Sequence, residues 1–114
     1  MKKSILTSEG YIWGDNCSAW VLVDSETLTV KQEQMPPGTS EKFHFHTASQ
    51  QFFFVLKGKA TLQVAQKTIE LVPNEGFLVL PGIKHQIKNT TSEELNFLVI
   101  SEPSTFEDRI EEPF

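Results

Sequence analysis

The chain has three histidines, His44, His46 and His85, and their placement is the main chemical signal in its 114 residues. His44 and His46 are spaced i, i+2. In an extended segment that spacing puts both imidazoles on one face, close enough to share one ion. Neutral imidazole suits Zn, Cu, Fe and Ni rather than Mg or Ca. A His-x-His pair by itself describes a plain surface pair equally well, and His85, about forty residues further on, needs the fold to bring it in. The single cysteine, Cys17, has no base beside it in sequence and reads as a small core residue; it cannot form an internal disulfide. No Ser-His-Asp order, phosphate loop or carboxylate pair stands out.

The elements that must position these residues read as strands. Helical periodicity is nearly absent, and short apolar or alternating runs are divided by turn residues about every ten positions. The expected strands are Ala19–Val23, Leu28–Gln34, Phe43–His46, Gln51–Lys57, Ala60–Ala65, Thr68–Leu71, Phe77–Leu80, His85–Asn89 and Leu95–Ser101. Asp24-Ser25-Glu26 reads as a polar turn and Lys57-Gly58-Lys59 as a tight hairpin. Pro36-Pro37-Gly38 must end a strand, because proline cannot donate to a ladder. Pro73-Asn74-Glu75-Gly76 and Pro81-Gly82 read as turns. This pattern is all-β, a barrel or sandwich in one domain, with the core barrel over about 15–101 and a tail over 102–114 that is extended or weakly helical. Gln51, Phe53 and Val55 share one face of their strand and Phe52, Phe54 and Leu56 the other. Both faces are bulky, so both should be covered, one by the barrel interior and one by a second sheet, the N-terminal segment or a partner subunit.

From Gly38 to Gly58 the sequence runs Gly-x5-His-x-His-x4-Gln-x6-Gly, and Gly82-x2-His85-x3-Asn89 follows later. This pair of patterns resembles the two motifs of the cupin superfamily. The resemblance spans residues 38 to 89 and implies a double-stranded β-helix, a jelly-roll barrel with a pocket inside. His44, His46 and His85 match the family's metal-binding histidines. Gln51 matches the glutamate that normally completes the set, with Gln50 as an off-register competitor. The family further implies a divalent transition metal (Fe, Ni, Zn, Cu or Mn), a small-molecule ligand or substrate, and a homodimer. Asn74 stands where the second motif has a glycine, and Leu80 where it has a proline.

Gln51 changes the chemistry most. An amide oxygen is neutral, so the site is one charge more positive than with a carboxylate, and no carboxylate at the metal can act as a base. Gln51 is expected either to bind the ion directly, to hydrogen-bond a ligand of the ion, or to serve as a core amide. Glu33 or Glu41 could supply a base if the fold aims it inward, although Glu41 and Lys42 fit a solvated turn as well. Trp13 and Trp20 are candidates for a pocket lining or for packing, and Gln86 should point away from His85. Unperturbed imidazoles would give up a metal as pH falls below about 6.

The expected function is a three-histidine enzyme, dioxygenase-like or isomerase-like, acting on a small organic molecule. The alternative is a non-catalytic module that binds a sugar or metabolite. The net charge is −5, of which residues 102–114 carry −4 (five acids, one arginine), so the body is nearly neutral. No basic stripe supports a nucleic-acid partner. No apolar run approaches the ~18 residues of a membrane span, and the N-terminus lacks the apolar stretch of a signal peptide. A soluble, cytoplasmic protein is the expectation.

Overall fold

The structure, a computed structural model, covers residues 1–114 and is built from strands alone. They are β1 (Gly10–Trp13), β2 (Cys17–Asp24), β3 (Thr29–Met35), β4 (His44–Phe45), β5 (Gln50–Lys57), β6 (Ala60–Val64), β7 (Lys67–Leu71), β8 (Gly76–Val79), β9 (His85–Lys88), β10 (Leu95–Glu102) and β11 (Ile110–Glu111). All nine expected strands are present with ends shifted by one or two residues. No helix is long and apolar enough to cross a membrane.

Two antiparallel sheets form the jelly roll: a six-stranded one ordered β1-β2-β3-β10-β5-β8 and a five-stranded one ordered β11-β4-β9-β6-β7. The core lies between them. Met35, Val55, Leu95 and Phe97 come from the first sheet, Leu62 and Ile87 from the second, and all six are essentially inaccessible. Each large side chain buried this way stabilises the fold by about 1.5–3 kcal/mol. Cys17 packs into the same core.

The Lys57-Gly58-Lys59 segment is not a hairpin. β5 pairs with β10 and β8, whereas β6 pairs with β7 and β9, so the turn carries the chain from one sheet to the other. Gly58 is required there twice over. Its φ is 85°, and a Cβ would lie 2.5 Å from the Glu94 carbonyl oxygen. A two-residue loop signal cannot distinguish a hairpin from a corner, because both need a positive φ.

Two strands lie outside the expected set. β1 pairs with β2. β11 pairs with β4, Ile110 opposite Phe45 and Glu111 opposite His44, so the acidic C-terminal segment is a sheet edge rather than a free tail. The segment is held further by Glu112 N–H donating to Phe43 O at 2.9 Å and Phe43 N–H donating to Glu112 Oε1 at 3.1 Å. The Phe114 ring packs on Phe43 and Phe45. Neither strand was legible because β1 is short and β11 is charged; pairing to an existing edge, not apolar periodicity, makes them strands.

The outward face of β5 is uncovered within the chain. Phe52 and Leu56 are exposed, as are Leu78 of β8 and the adjoining Leu80.

Candidate metal centre

The strand registers converge the motif residues. His44 on β4 lies directly opposite His85 on β9, and His46 follows β4 on the same face. One ring nitrogen from each of the three lies within 4.8 Å of the others, and all three residues are buried. The ring centroids are 4.4 to 5.7 Å apart. Gln51 reaches them from the opposite sheet. It is buried, whereas Gln50 points outward and donates to Glu102 Oε1 at 2.8 Å. The side chains that match the motif therefore meet across the barrel.

Main-chain carbonyls set the proton on each ring. Nδ1 of His44 faces Lys42 O at 2.7 Å, Nδ1 of His85 faces Ile83 O at 2.9 Å, and Nδ1 of His46 faces the Asp108 carbonyl. A carbonyl can only accept, so each Nδ1 carries the proton and each Nε2 keeps its lone pair. Burial is the chief reason that the rings stay neutral. It pushes His44 down to about 3 and His85 down to about 4, and it lowers His46 as well. The imidazoles thus remain in the ligand form well below the pH near 6 expected from an unperturbed ring.

Two details fit a cation. His46 Nε2 is buried without a hydrogen-bond partner. His85 Nε2 lies 3.0 Å from Gln51 Oε1, and with the His85 proton committed to Ile83, these two atoms face each other lone pair to lone pair. Either the amide is turned over so that it donates to His85, or a cation shares the two lone pairs. The amide nitrogen of Gln51 is 3.0 Å from Ser101 Oγ, its neighbour in the β5–β10 register.

A cavity of about 480 Å³ opens beside the imidazoles. His46, Gln51, Glu33, Glu41, Lys31 and Arg109 line it, with Trp13, Tyr11, Ser101 and Thr105 among the other wall residues. Twelve of its fifteen wall residues are polar, charged or glycine, so the wall is predominantly polar. Trp13 belongs to the wall and Trp20 does not. Gln86 turns away, donating to Glu41 O at 2.8 Å.

Glu33 and Glu41 both face inward. Glu41 does not occupy a solvated turn: its Oε1 accepts from Ile87 N–H at 3.2 Å and lies 3.9 Å from His44 Nδ1. Glu33 lies opposite Phe97 and Ala19 in the sheet, on the core face, and its carboxyl is approached by the Trp13 indole N–H. Burial raises Glu33 to about 7 and Glu41 to about 8, partly offset by Lys31 and Arg109 for the first and by Arg109 for the second.

The C-terminal segment, expected from sequence as an extended or weakly helical tail, supplies residues to the site. Asp108 accepts from Thr47 N and Thr47 Oγ1, each at 2.6 Å, and from Ala48 N and Ser49 N, each at 3.0 Å. It thereby clamps the turn that joins His46 to Gln51. Slight burial works against its charge, but the bonds from Thr47, Ala48 and Ser49 hold its carboxyl well below the usual carboxylate range. Gly82 N–H, donating to His46 O at 2.7 Å, ties the turn before His85 to the same place. One hint was available: Arg109 is the single base among five acids in that segment.

Residues 23–101 match the Cupin domain family. No curated protein matches the sequence. Solved structures match the fold closely at low identity. A predicted oxalate decarboxylase from Thermotoga maritima superposes with a TM-score of 0.84 at 16% identity, covering 91% of this chain and 100% of that one. A cupin-superfamily sugar phosphate isomerase from Silicibacter pomeroyi gives 0.82 at 19% identity, covering 100% and 83%. An RmlC-like cupin from Shewanella frigidimarina gives 0.83 at 17%, covering 92% of each chain.

Proposed function

Since the chain belongs to the Cupin domain family, we propose that it is a metal-dependent, isomerase-like enzyme that moves a proton on a small polar molecule held in the barrel. His44, His46 and His85 would hold one divalent transition metal through Nε2, and Gln51 Oε1 would complete the set. Such an ion polarises an oxygen of the bound molecule and acidifies the carbon beside it. The protein's part is to place a base there. Glu33 is that base: it faces the cavity and sits where burial, nearby cations and the Trp13 indole N–H set its affinity for a proton near neutrality. Glu41, engaged with Ile87 N–H, orients the His44 side of the cavity.

The observation that carries this reading is the presence of Glu33 in the same cavity as His46 and Gln51. Gln51 leaves the metal without a carboxylate, and Glu33 restores one at the ligand instead. A base facing the substrate favours proton transfer over oxygen chemistry, which needs no such group. Names of two structural relatives are compatible with small oxygenated substrates: one is a sugar phosphate isomerase and the other a predicted oxalate decarboxylase.

The test combines metal and proton. Elemental analysis of protein reconstituted with Zn, Fe, Ni, Cu or Mn should give about one ion per chain. Wild type incubated in heavy water with a panel of aldoses, ketoses and hydroxy acids should introduce deuterium at a carbon adjacent to oxygen, seen by NMR. Glu33→Gln should keep the metal and stop the exchange. Absence of metal after reconstitution, or exchange unaffected by Glu33→Gln, would refute the reading. Tight binding without exchange would point to the non-catalytic module instead.

We further propose that a second copy of the chain covers the outward face of Phe52, Leu56, Leu78 and Leu80. Light scattering should report a dimer for wild type and a monomer for Phe52→Glu.

A further inference from the structure

We propose that Arg109 is the specificity-determining residue of the cavity, and that the molecule bound there carries an oxyanion, a carboxylate or a phosphate, which the free edge of the guanidinium holds. This rests on the reading of the cavity as a small-molecule site and names the class of molecule.

Arg109 lies just before β11, and pairing of β11 with β4 brings it to the cavity wall. Its Nε donates to Glu111 Oε2 at 2.7 Å. That bond fixes one edge of the group and leaves the edge formed by the two terminal nitrogens without a protein partner. The only ion pair of Arg109 is the one with Glu111; the guanidinium acts on Glu33 and Glu41 through space but makes no direct ion pair with them or with Asp108. A planar fork oriented at one edge and open at the other matches the two oxygens of a carboxylate or phosphate.

Other donors lie in the same wall. Trp13 Nε1–H is buried there and faces the Glu33 carboxyl. Lys31 Nζ donates only to Tyr11 OH, at 3.0 Å, and sits 5.4 Å from the centre of that ring, with no carboxylate in ion-pair range. Two cations, Arg109 and Lys31, whose free donor positions meet no carboxylate within ion-pair range call for an acceptor-rich ligand. The Glu33 carboxyl, which lines the same cavity, complements a hydroxyl on the same molecule. A volume of about 480 Å³ suits a compact metabolite. The occupant these features describe is a hydroxylated small acid or phosphate ester.

The test uses matched sets: neutral aldoses, the corresponding aldonic acids, and the corresponding phosphate esters. Calorimetric titration of the zinc-reconstituted full chain and of the chelator-treated chain gives the affinities. At least one anionic class should bind 10-fold or more tightly than its neutral counterpart. Arg109→Gln should lose that margin at unchanged metal content, and Arg109→Lys should regain only part of it. Preference for the acids over the esters, or the reverse, identifies the oxyanion. The proposal fails if neither anionic class outbinds the neutral sugars, if none of the three binds, or if Arg109→Gln keeps the margin, which would assign the selectivity to the metal. Failure of the metal reading is seen separately, as absent zinc in the wild type, and the Arg109 comparison in chelator-treated protein still decides this proposal.

Discussion

The five-stranded sheet and the turn after β4 supply three imidazoles whose protons are fixed by main-chain carbonyls, His46 among them reaching the cavity, whereas the six-stranded sheet gives the cavity Lys31, Glu33, Gln51 and Ser101. Burial acts oppositely on the two walls. It holds His44 and His85 neutral by lowering their affinity for protons, and it holds Glu33 neutral by raising it. One wall thus presents lone pairs at any ordinary pH, and the other presents a carboxyl that can gain or lose a proton near neutrality. Apart from Gln51, which reaches the imidazoles from the second wall, the lone pairs and the titratable carboxyl lie on different walls of a single barrel.

The largest expected effect comes from breaking the first wall. His85→Ala removes one of three imidazoles and the partner of Gln51, and metal affinity should fall by more than the ~10–100-fold typical of outer-shell changes. Titration calorimetry with zinc measures it. The second wall should tolerate the matching change, so a comparable loss of zinc in Glu33→Gln would end the division of labour argued here.

Asp108→Ala comes next. The residue touches no ligand nitrogen through its side chain, yet it clamps the turn between His46 and Gln51 and sets the carbonyl that faces His46 Nδ1. Zinc affinity should drop ~10–100-fold, with about 2 kcal/mol lost from the unfolding free energy. Asp108→Asn, which keeps one acceptor oxygen, should recover part of both.

The pH dependence of the metal-free protein sharpens the contrast with a smaller effect. His44 and His85 bind protons more weakly folded than their ordinary value of 6.5, so their contribution to stability is complete above about 6.5 and is lost as pH falls toward about 3. Glu33 and Glu41 bind protons more strongly folded than their ordinary 4.5, so their contribution is complete below about 4.5 and is lost as pH rises through about 7 and about 8. Urea midpoints should therefore change little between about pH 4.5 and 6.5, where the two dependences oppose each other, and decline on either side: in acid because the unfolded histidines are protonated while the folded ones are not and the glutamates no longer offset them, and above about 6.5 as the folded glutamates lose their protons. The smallest expected effect is in Glu33→Gln, whose midpoints should decline less between pH 5 and 8 than those of wild type. An unchanged alkaline slope would show that Glu33 is not the neutral, buried group described.

The residues that would hold the ion were legible in the sequence because strand periodicity is strict. A spacing of two fixes His44 and His46 on one face whatever surrounds them, and the motif match placed His85 and Gln51 beside them. Glu33 was harder to place. On β3, Thr29, Lys31, Glu33 and Met35 face inward while Val30, Gln32 and Gln34 face outward, and both sets are largely polar, so alternation could not say which side was the core. The same ambiguity hid the role of Glu41, whose burial comes from Ile87 of another strand.

By itself, then, the sequence determined an all-β domain and a cluster of neutral nitrogen donors, since local pleat geometry and turn chemistry act over a few residues. Tertiary structure alone decided that a charged C-terminal segment would close the site. β11 has no apolar pattern of its own and is a strand only because the edge of β4 offers it hydrogen bonds. That pairing, between positions more than sixty residues apart, is what brings Asp108 to the turn between His46 and Gln51 and Arg109 to the cavity.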